Sequence, residues 1–334
     1  AYMNLGGIYK ELGNLDQALE ATLKSLEIEA DNARTIYNLK AFTYQLILSP
    51  TNAQNLIKAY ELLINLDNIS HKKLSKIFLL LFLPTIQIAA KSDPIIAANN
   101  NSLNHLASDW RLRKSLTLFT PPNQEVEHFL TRLRKELLIL AANQETIPEY
   151  LKPLTEALAI QCFLNEYVYA QSPKEEELVN LLIHKSSKSQ ASFTQYLAII
   201  ASYVAIHQLN LSQEWVKDYS TAGNESRTLI QTQLEEPKEE EKIKASIQSN
   251  SEIADAVSLK VKDMYEENPY PRYRYADHTN KSLAKKMSAA IKRESTKQDL
   301  KFSEELRLDH LRPKVLIAGC GTGNQVINAS RYKN

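Results

Sequence analysis

The chain has 334 residues, with 40 Lys plus Arg set against 39 Asp plus Glu and only two cysteines. That length holds two or three domains with a substantial core, and the even charge balance excludes a global field that would recruit nucleic acid or anionic membrane. Cys162 and Cys320 lie too far apart for a metal-ligand pattern, so no metal is expected and a reducing cytoplasm is the plain reading. The densest apolar run, residues 77–83, is too short to span a bilayer and is expected to stop at Pro84, so no membrane is expected. The first residues already read as helix rather than as a signal peptide.

From the N-terminus, Tyr2, Leu5, Gly6 and Tyr9 share one helical face, with a glycine placed where a neighbouring helix can approach closely. Gly13 and Asn14 break the chain, and residues 15–28 form a second amphipathic pattern with Ala18 as its small contact residue. The spacing resembles the tetratricopeptide signature, aromatic-x2-Leu-Gly-x2-Tyr. It departs from it at Tyr2 (for Trp), Thr22 (for Phe) and Ala30 (for Pro). A second copy follows: Ile36 and Leu39 stand 34 residues after Tyr2 and Leu5, and Ala59 stands 41 after Ala18. About seven residues are therefore inserted near residues 49–52, and Lys40 replaces the glycine. An array normally needs more than two repeats, so further copies are expected upstream. The resemblance implies a concave surface for a protein or peptide partner.

Residues 72–249 keep an apolar period of 3.6 with short polar breaks. Helices are expected over 125–142, 151–169, 175–184 and 193–209, with a polar loop at 99–102. The stripe of the first contains Val126, Phe129, Leu130, Leu133, Leu137 and Leu140. Pro237 suits a first helical turn, and the mixed Glu and Lys of 238–244 suit a solvated helix. His105, His128, His184 and His207 have no paired spacing, Cys162 sits on an apolar face, and 165–167 is a polar interruption with one carboxylate. This middle region reads as scaffold.

Residues 251–267 read as a capped amphipathic helix that runs into Pro269, Tyr270, Pro271, Arg272, Tyr273, Arg274 and Tyr275. The two prolines exclude continued helix and favour an extended strap. Its tyrosines and arginines either dock it against a neighbouring domain or make it a lid, with Tyr270, Arg272 and Tyr275 as the lid candidates. The charged stretch 281–314 mixes acids with its lysines and is ordinary solvated surface, so nucleic acid is not an expected partner.

Only seven glycines occur, and three of them, Gly319, Gly321 and Gly323, fall in the last sixteen residues. Residues 314–318 are a short apolar run suited to a buried parallel strand, and a helix can start at Asn324. Glycines in such a turn allow a tight bend and close approach of the backbone to a ligand, and a helix N-terminus adds unpaired N–H donors. Asn324 stands where a dinucleotide fingerprint needs glycine, and no Gly-Lys-Ser/Thr follows as a phosphate loop would need.

The strap and the run Val315-Leu316-Ile317-Ala318-Gly319-Cys320-Gly321-Thr322-Gly323-Asn324 together resemble bacterial tetratricopeptide-repeat proteins fused to a class I S-adenosylmethionine-dependent methyltransferase. The resemblance spans the whole chain. It implies that Gly319, Cys320, Gly321, Thr322, Gly323 and Asn324 hold the methionine and ribose part of S-adenosyl-L-methionine. The acid that many relatives carry near the strand end is Ile317 or Ala318 here, so another residue must meet the cofactor's amino group. The ribose-binding acid is expected about twenty residues on, past Asn334, so the fragment by itself is expected to be inactive.

The expected fold is mainly α: repeats in 1–68, a helical domain in 69–250, helix, strap and lead-in in 251–312, and the first strand, turn and helix of a truncated Rossmann-like domain in 313–334. The rival function is an interaction scaffold without catalysis.

Overall fold

The computed structural model describes residues 1–43, 52–67, 69–247, 255–267, 316–317 and 323–330. The chain is mainly helical, and no strand occurs among the described residues. It divides into two compact units, one of Ala1–His71 with Asn250–Asn334 and one of Lys72–Ser249.

The first unit opens with paired helices α1 (Tyr2–Glu11), α2 (Leu15–Ile28), α3 (Ala33–Thr43) and α4 (Ala53–Ile64). Gly13, at φ +78°, ends α1 in the left-handed conformation. The Asn14 amide then bonds the Tyr9 carbonyl at 2.9 Å and the Gly13 amide the Lys10 carbonyl at 3.1 Å, a pairing that satisfies the last carbonyls of a helix. Helix α2 packs against α1, α3 and α4, so its Ala18, Leu19, Thr22, Leu23 and Leu26 are buried. Gly6 explains the close approach of α1: a Cβ there would lie 2.6 Å from Thr22 Oγ1 and 3.3 Å from the Ala18 carbonyl oxygen. The threonine at 22 is thus matched to the glycine at 6. The repeat-related residues Ala18 and Ala59 are both fully buried, whereas Leu39 is 1 % exposed and its counterpart Leu5 is 37 % exposed. Asn52 and Asp16 join the starts of α4 and α2 through a 2.7 Å hydrogen bond.

The second unit contains α5 (Ser75–Ala89), α6 (Asn101–Ser108), α7 (Trp110–Leu116), α8 (Gln124–Ala142), α9 (Lys152–Leu164), α10 (Pro173–Ser186), α11 (Gln190–Ala201), α12 (Gln213–Ser220), α13 (Asn224–Ile230) and α14 (Glu236–Ser246). Helix α9 is its axis. Every residue from Leu154 to Cys162 is buried, because α7, α8, α11 and α13 surround it. Aromatic packing of Phe193 with Trp215 and Tyr219 continues this core toward α12. No helix among the described residues is long and apolar enough to cross a membrane.

Several boundaries differ from the sequence expectation. Pro84 does not stop the apolar run, since α5 continues through it to Ala89. An interior proline costs about 3 kcal/mol, and burial of Phe78, Phe82, Ile86 and Ala89 on the packed face offsets it. Of the expected loop at 99–102, residues 99 and 100 precede the helix, and Asn101 and Ser102 already belong to α6. Asn100 caps it, accepting from the Leu103 amide at 3.1 Å while its Nδ2 donates to the Ala89 and Ile95 carbonyls. The helix expected over 193–209 ends at Ala201, and only a short 3-10 turn, Ile206–Gln208, follows. The helix expected to reach Tyr169 ends at Leu164, because Glu166 and Tyr167 take left-handed conformations with φ of 59° and 56°.

Two further helices are described: α15 (Ala256–Glu267) and α16 (Asn324–Ser330). The cap of α15 is Asp255, whose carboxylate accepts from the Ser258 amide at 2.7 Å. That contact holds the Asp255 carboxyl below its usual range. The buried strand expected over 314–318 is not supported. Leu316 and Ile317 have no regular structure, and Leu316 is 92 % exposed. A parallel strand is held by neighbouring strands and covered on both faces, and no such neighbour occurs among the described residues.

Candidate functional site

Of the residues singled out in the sequence, Tyr270, Arg272, Tyr275, Gly319, Cys320, Gly321 and Thr322 lie outside the described residues. Gly323 is described and has φ +90°, a region that favours glycine. Its carbonyl accepts from the Ile327 amide at 3.0 Å, so α16 starts directly at the glycine turn. Among the described residues, nothing lies within 4 Å of the position a Cβ would take at Gly323.

The described residues bring together a different group, buried in the second unit. Arg134 lies on the apolar stripe of α8, four residues after Leu130 and three before Leu137, and is 1 % exposed. Its guanidinium lies 4.2 Å from the Tyr203 ring centroid and 5.7 Å from that of Tyr169. It donates to the Ala170 carbonyl at 2.8 Å and, over longer distances of 3.3 and 3.4 Å, to the Tyr169 and Ser202 carbonyls. Such packing suits arginine, whose planar cation stacks on aromatic faces and presents a fixed fork of donors. The balancing charge is Glu175, linked through the Tyr203 hydroxyl, which donates to it at 3.0 Å. Glu175 also completes a capping box with Ser172 at the start of α10. Burial works against the charge on Glu175. The Ser172 amide and hydroxyl, the Tyr203 hydroxyl and the nearby Arg134 outweigh it and hold the carboxyl below its usual range.

The turn after α9 is fixed by the same network. Two successive left-handed side chains, Glu166 and Tyr167, cost about 1–3 kcal/mol each. The Tyr167 hydroxyl meets the Ala201 carbonyl at 3.3 Å and Gln233 Oε1 at 3.2 Å, while Gln233 Nε2 donates to the Ala159 and Ala201 carbonyls. Gln233 lies in a π-helical turn, Gln231–Glu235, so α9, α11 and this turn are tied by one side chain. Burial pushes the Cys162 thiol up to about 12, although Arg134 beside it pulls the other way. Burial likewise raises Tyr167, Tyr169 and Tyr203. At neutral pH the cluster therefore holds a protonated thiol, protonated phenols and one balanced cation. It has no group poised for proton transfer or attack, and its work is to position the 165–170 turn and the helix ends.

His105, His128 and His184 are exposed and scattered, and His207 packs edge-on against Phe163. No group of three metal-ligating side chains occurs among the described residues. Sequence reasoning missed Arg134 and Gln233. The usable signal was a permanent cation on the apolar stripe of α8, next to the polar interruption at 165–167. What these elements define is a mainly helical protein of paired helices and a sealed polar core. Compared with known proteins, the chain matches no family model, no curated protein and no solved structure.

Proposed function

We propose that this chain belongs to an S-adenosylmethionine-dependent methyltransferase with N-terminal tetratricopeptide-type repeats. The observation that carries the reading is the glycine turn: Gly319, Gly321 and Gly323 in alternation in the sequence, with Gly323 left-handed and helix α16 beginning at once. Backbone groups of 319–323, with Cys320, Thr322 and Asn324, would hold the cofactor, and Tyr270, Arg272 and Tyr275 would close over it. Bound S-adenosyl-L-methionine supplies an electrophilic methyl group, and the protein's contribution is to align it with an acceptor, which lowers an entropic barrier. The close packing of α1 on α2 at Gly6 supports the repeat part of the reading and, with it, a protein or peptide partner for that surface.

A scaffold without catalysis is the second reading. The polar core of the second unit favours it, because none of its ionisable groups is free to act on a substrate. Calorimetric titration of S-adenosylhomocysteine into the full-length protein, with NAD as control, decides between them. Saturable binding of S-adenosylhomocysteine alone, lost in Gly321→Arg, is the expected result. A well-folded protein that binds neither ligand would establish the scaffold.

A further inference from the structure

Glu156 is a second buried acid of the second unit, set where three helices meet. It lies on α9 and is 8 % exposed. The Tyr219 hydroxyl of α12 and the Ser226 hydroxyl of α13 both donate to one of its oxygens, Oε1, each at 2.8 Å. Both donors are themselves buried. Among the described residues no ion pair reaches this carboxyl. Arg113 of α7 is taken by Glu225 at 2.6 Å, and Lys152, one turn earlier on α9, by Glu149 at 2.6 Å. Glu225, next to Ser226, adds a like charge that Lys152 offsets only in part. Of the other elements packed on α9, α11 carries no charged residue and supplies the Phe193 ring, edge-on to Tyr219. Arg134 of α8 bears on α9 at Cys162, six residues further along. The π-helical turn presents Gln233, while its Glu235 is exposed.

We propose that Glu156 is a pH-sensitive latch that holds α12 and α13 onto α9 when protonated and loosens them when ionised. A neutral carboxyl keeps both hydroxyl contacts without placing charge in the core. An ionised one sets an unbalanced charge among apolar side chains, Glu225 repels it, and two hydroxyl donors offset only part of the desolvation. Opening of the corner formed by residues 213–230 returns that charge to water, so alkaline conditions favour the open form. Burial accordingly raises this carboxyl, while Ser226 and Tyr219 oppose the shift. A raised acid holds the corner fully below its open-state value of about 4.3, and the hold is lost as pH rises through the closed-state value. Between the two, each pH unit increases the open population by up to about tenfold. The corner places Val216, Tyr219, Leu229 and Ile230 in the core shared with α9 and α11, so loosening it exposes apolar surface. The latch lies in a different unit from the glycine turn and the repeat helices, and it does not depend on the methyltransferase reading.

The test is hydrogen–deuterium exchange of the intact chain, read by mass spectrometry between about pH 5 and about pH 8 and corrected for the intrinsic pH dependence of amide exchange. Protection of residues 213–230 should fall by up to about tenfold per pH unit, while α8 keeps its protection. In Glu156→Gln, which keeps the acceptor oxygen and removes the charge, protection of 213–230 should be high and independent of pH. Glu240→Gln, the same change on an exposed residue of α14, should leave the parent's pH dependence in place. A corner that ignores pH in the parent, the same dependence in Glu156→Gln, or an equal loss of protection in α8 would each overturn the proposal. So would a Glu156→Gln chain that loses protection at every pH, since the charge would then be what holds the corner.

Discussion

Replacing Arg134 by methionine tests whether the buried cation holds the second unit together. The volume is nearly kept, so the loss is electrostatic. The Tyr169 and Ser202 carbonyls lose their donor, and a buried polar group left unpaired costs about 1–3 kcal/mol. The contacts with the Tyr203 and Tyr169 rings add about 2 kcal/mol when desolvated. Against this stands relief of the guanidinium's own desolvation, which amounts to several kcal/mol and can make an apolar replacement of a buried ion pair neutral. Here the partners are mainly carbonyls that remain behind, so we expect a net loss of about 3 kcal/mol. For a unit of this size that lowers Tm by roughly 6–12 °C. Both tryptophans, Trp110 and Trp215, lie in the second unit, so tryptophan fluorescence during thermal and urea unfolding follows that unit alone. Arg134→Lys should fare nearly as badly, because an ammonium cannot stack on the rings or reach the carbonyls as a fork. A methionine variant as stable as the parent would refute the reasoning and show that desolvation outweighs the network.

Two neighbouring glycines should respond in opposite directions. Gly6→Ala places a methyl group 2.6 Å from Thr22 Oγ1 and should cost about 1–3 kcal/mol, partly recovered in combination with Thr22→Ala. Gly7→Ala meets nothing within 4 Å among the described residues and should stabilise the helix by about 0.5–1 kcal/mol; thermal unfolding followed by circular dichroism reads both. Two buried glutamates should likewise respond to pH with opposite sign. The Glu175 carboxyl is depressed, so its contribution is present above the unfolded value of about 4.3 and is lost as pH falls through the folded one. Glu156 accepts from Tyr219 and Ser226, yet burial raises its carboxyl, so its contribution is present at low pH and lost as pH rises through the folded value. Urea midpoints should therefore show Glu175→Gln destabilising at pH 7 and Glu156→Gln stabilising there. Both differences should shrink below about pH 4, where the carboxylates protonate; parallel shifts at every pH would contradict the assignment.

The alternation of apolar and polar residues was enough to read the helical character of the second unit and the amphipathic pairs of the first. Burial of a helical face is a local regularity that shows at i, i+3 and i+4. Gly6 and Ala18 were legible as a close-approach pair for the same reason, and so was the cap-breaking Gly13. The role of Thr22 was not: only the packed helices show its hydroxyl 2.6 Å from where a Cβ at Gly6 would lie. Of the glycine turn, the sequence supplied the residues, while the described structure adds the conformation of Gly323 and the helix after it.

Where helices end was decided by tertiary partners. The Ala201 carbonyl is taken by Gln233 and Tyr167, the Ser202 carbonyl by Arg134, and the left-handed turn after α9 survives because Tyr167 and Tyr169 are held from other helices. Helix α5 passes through Pro84 because its other side is packed. Sequence periodicity records which face of a segment is apolar, since that depends on residues three and four apart. It does not record which distant donor meets a particular carbonyl, and among these helices that pairing sets the ends, the strained turn and the buried charge.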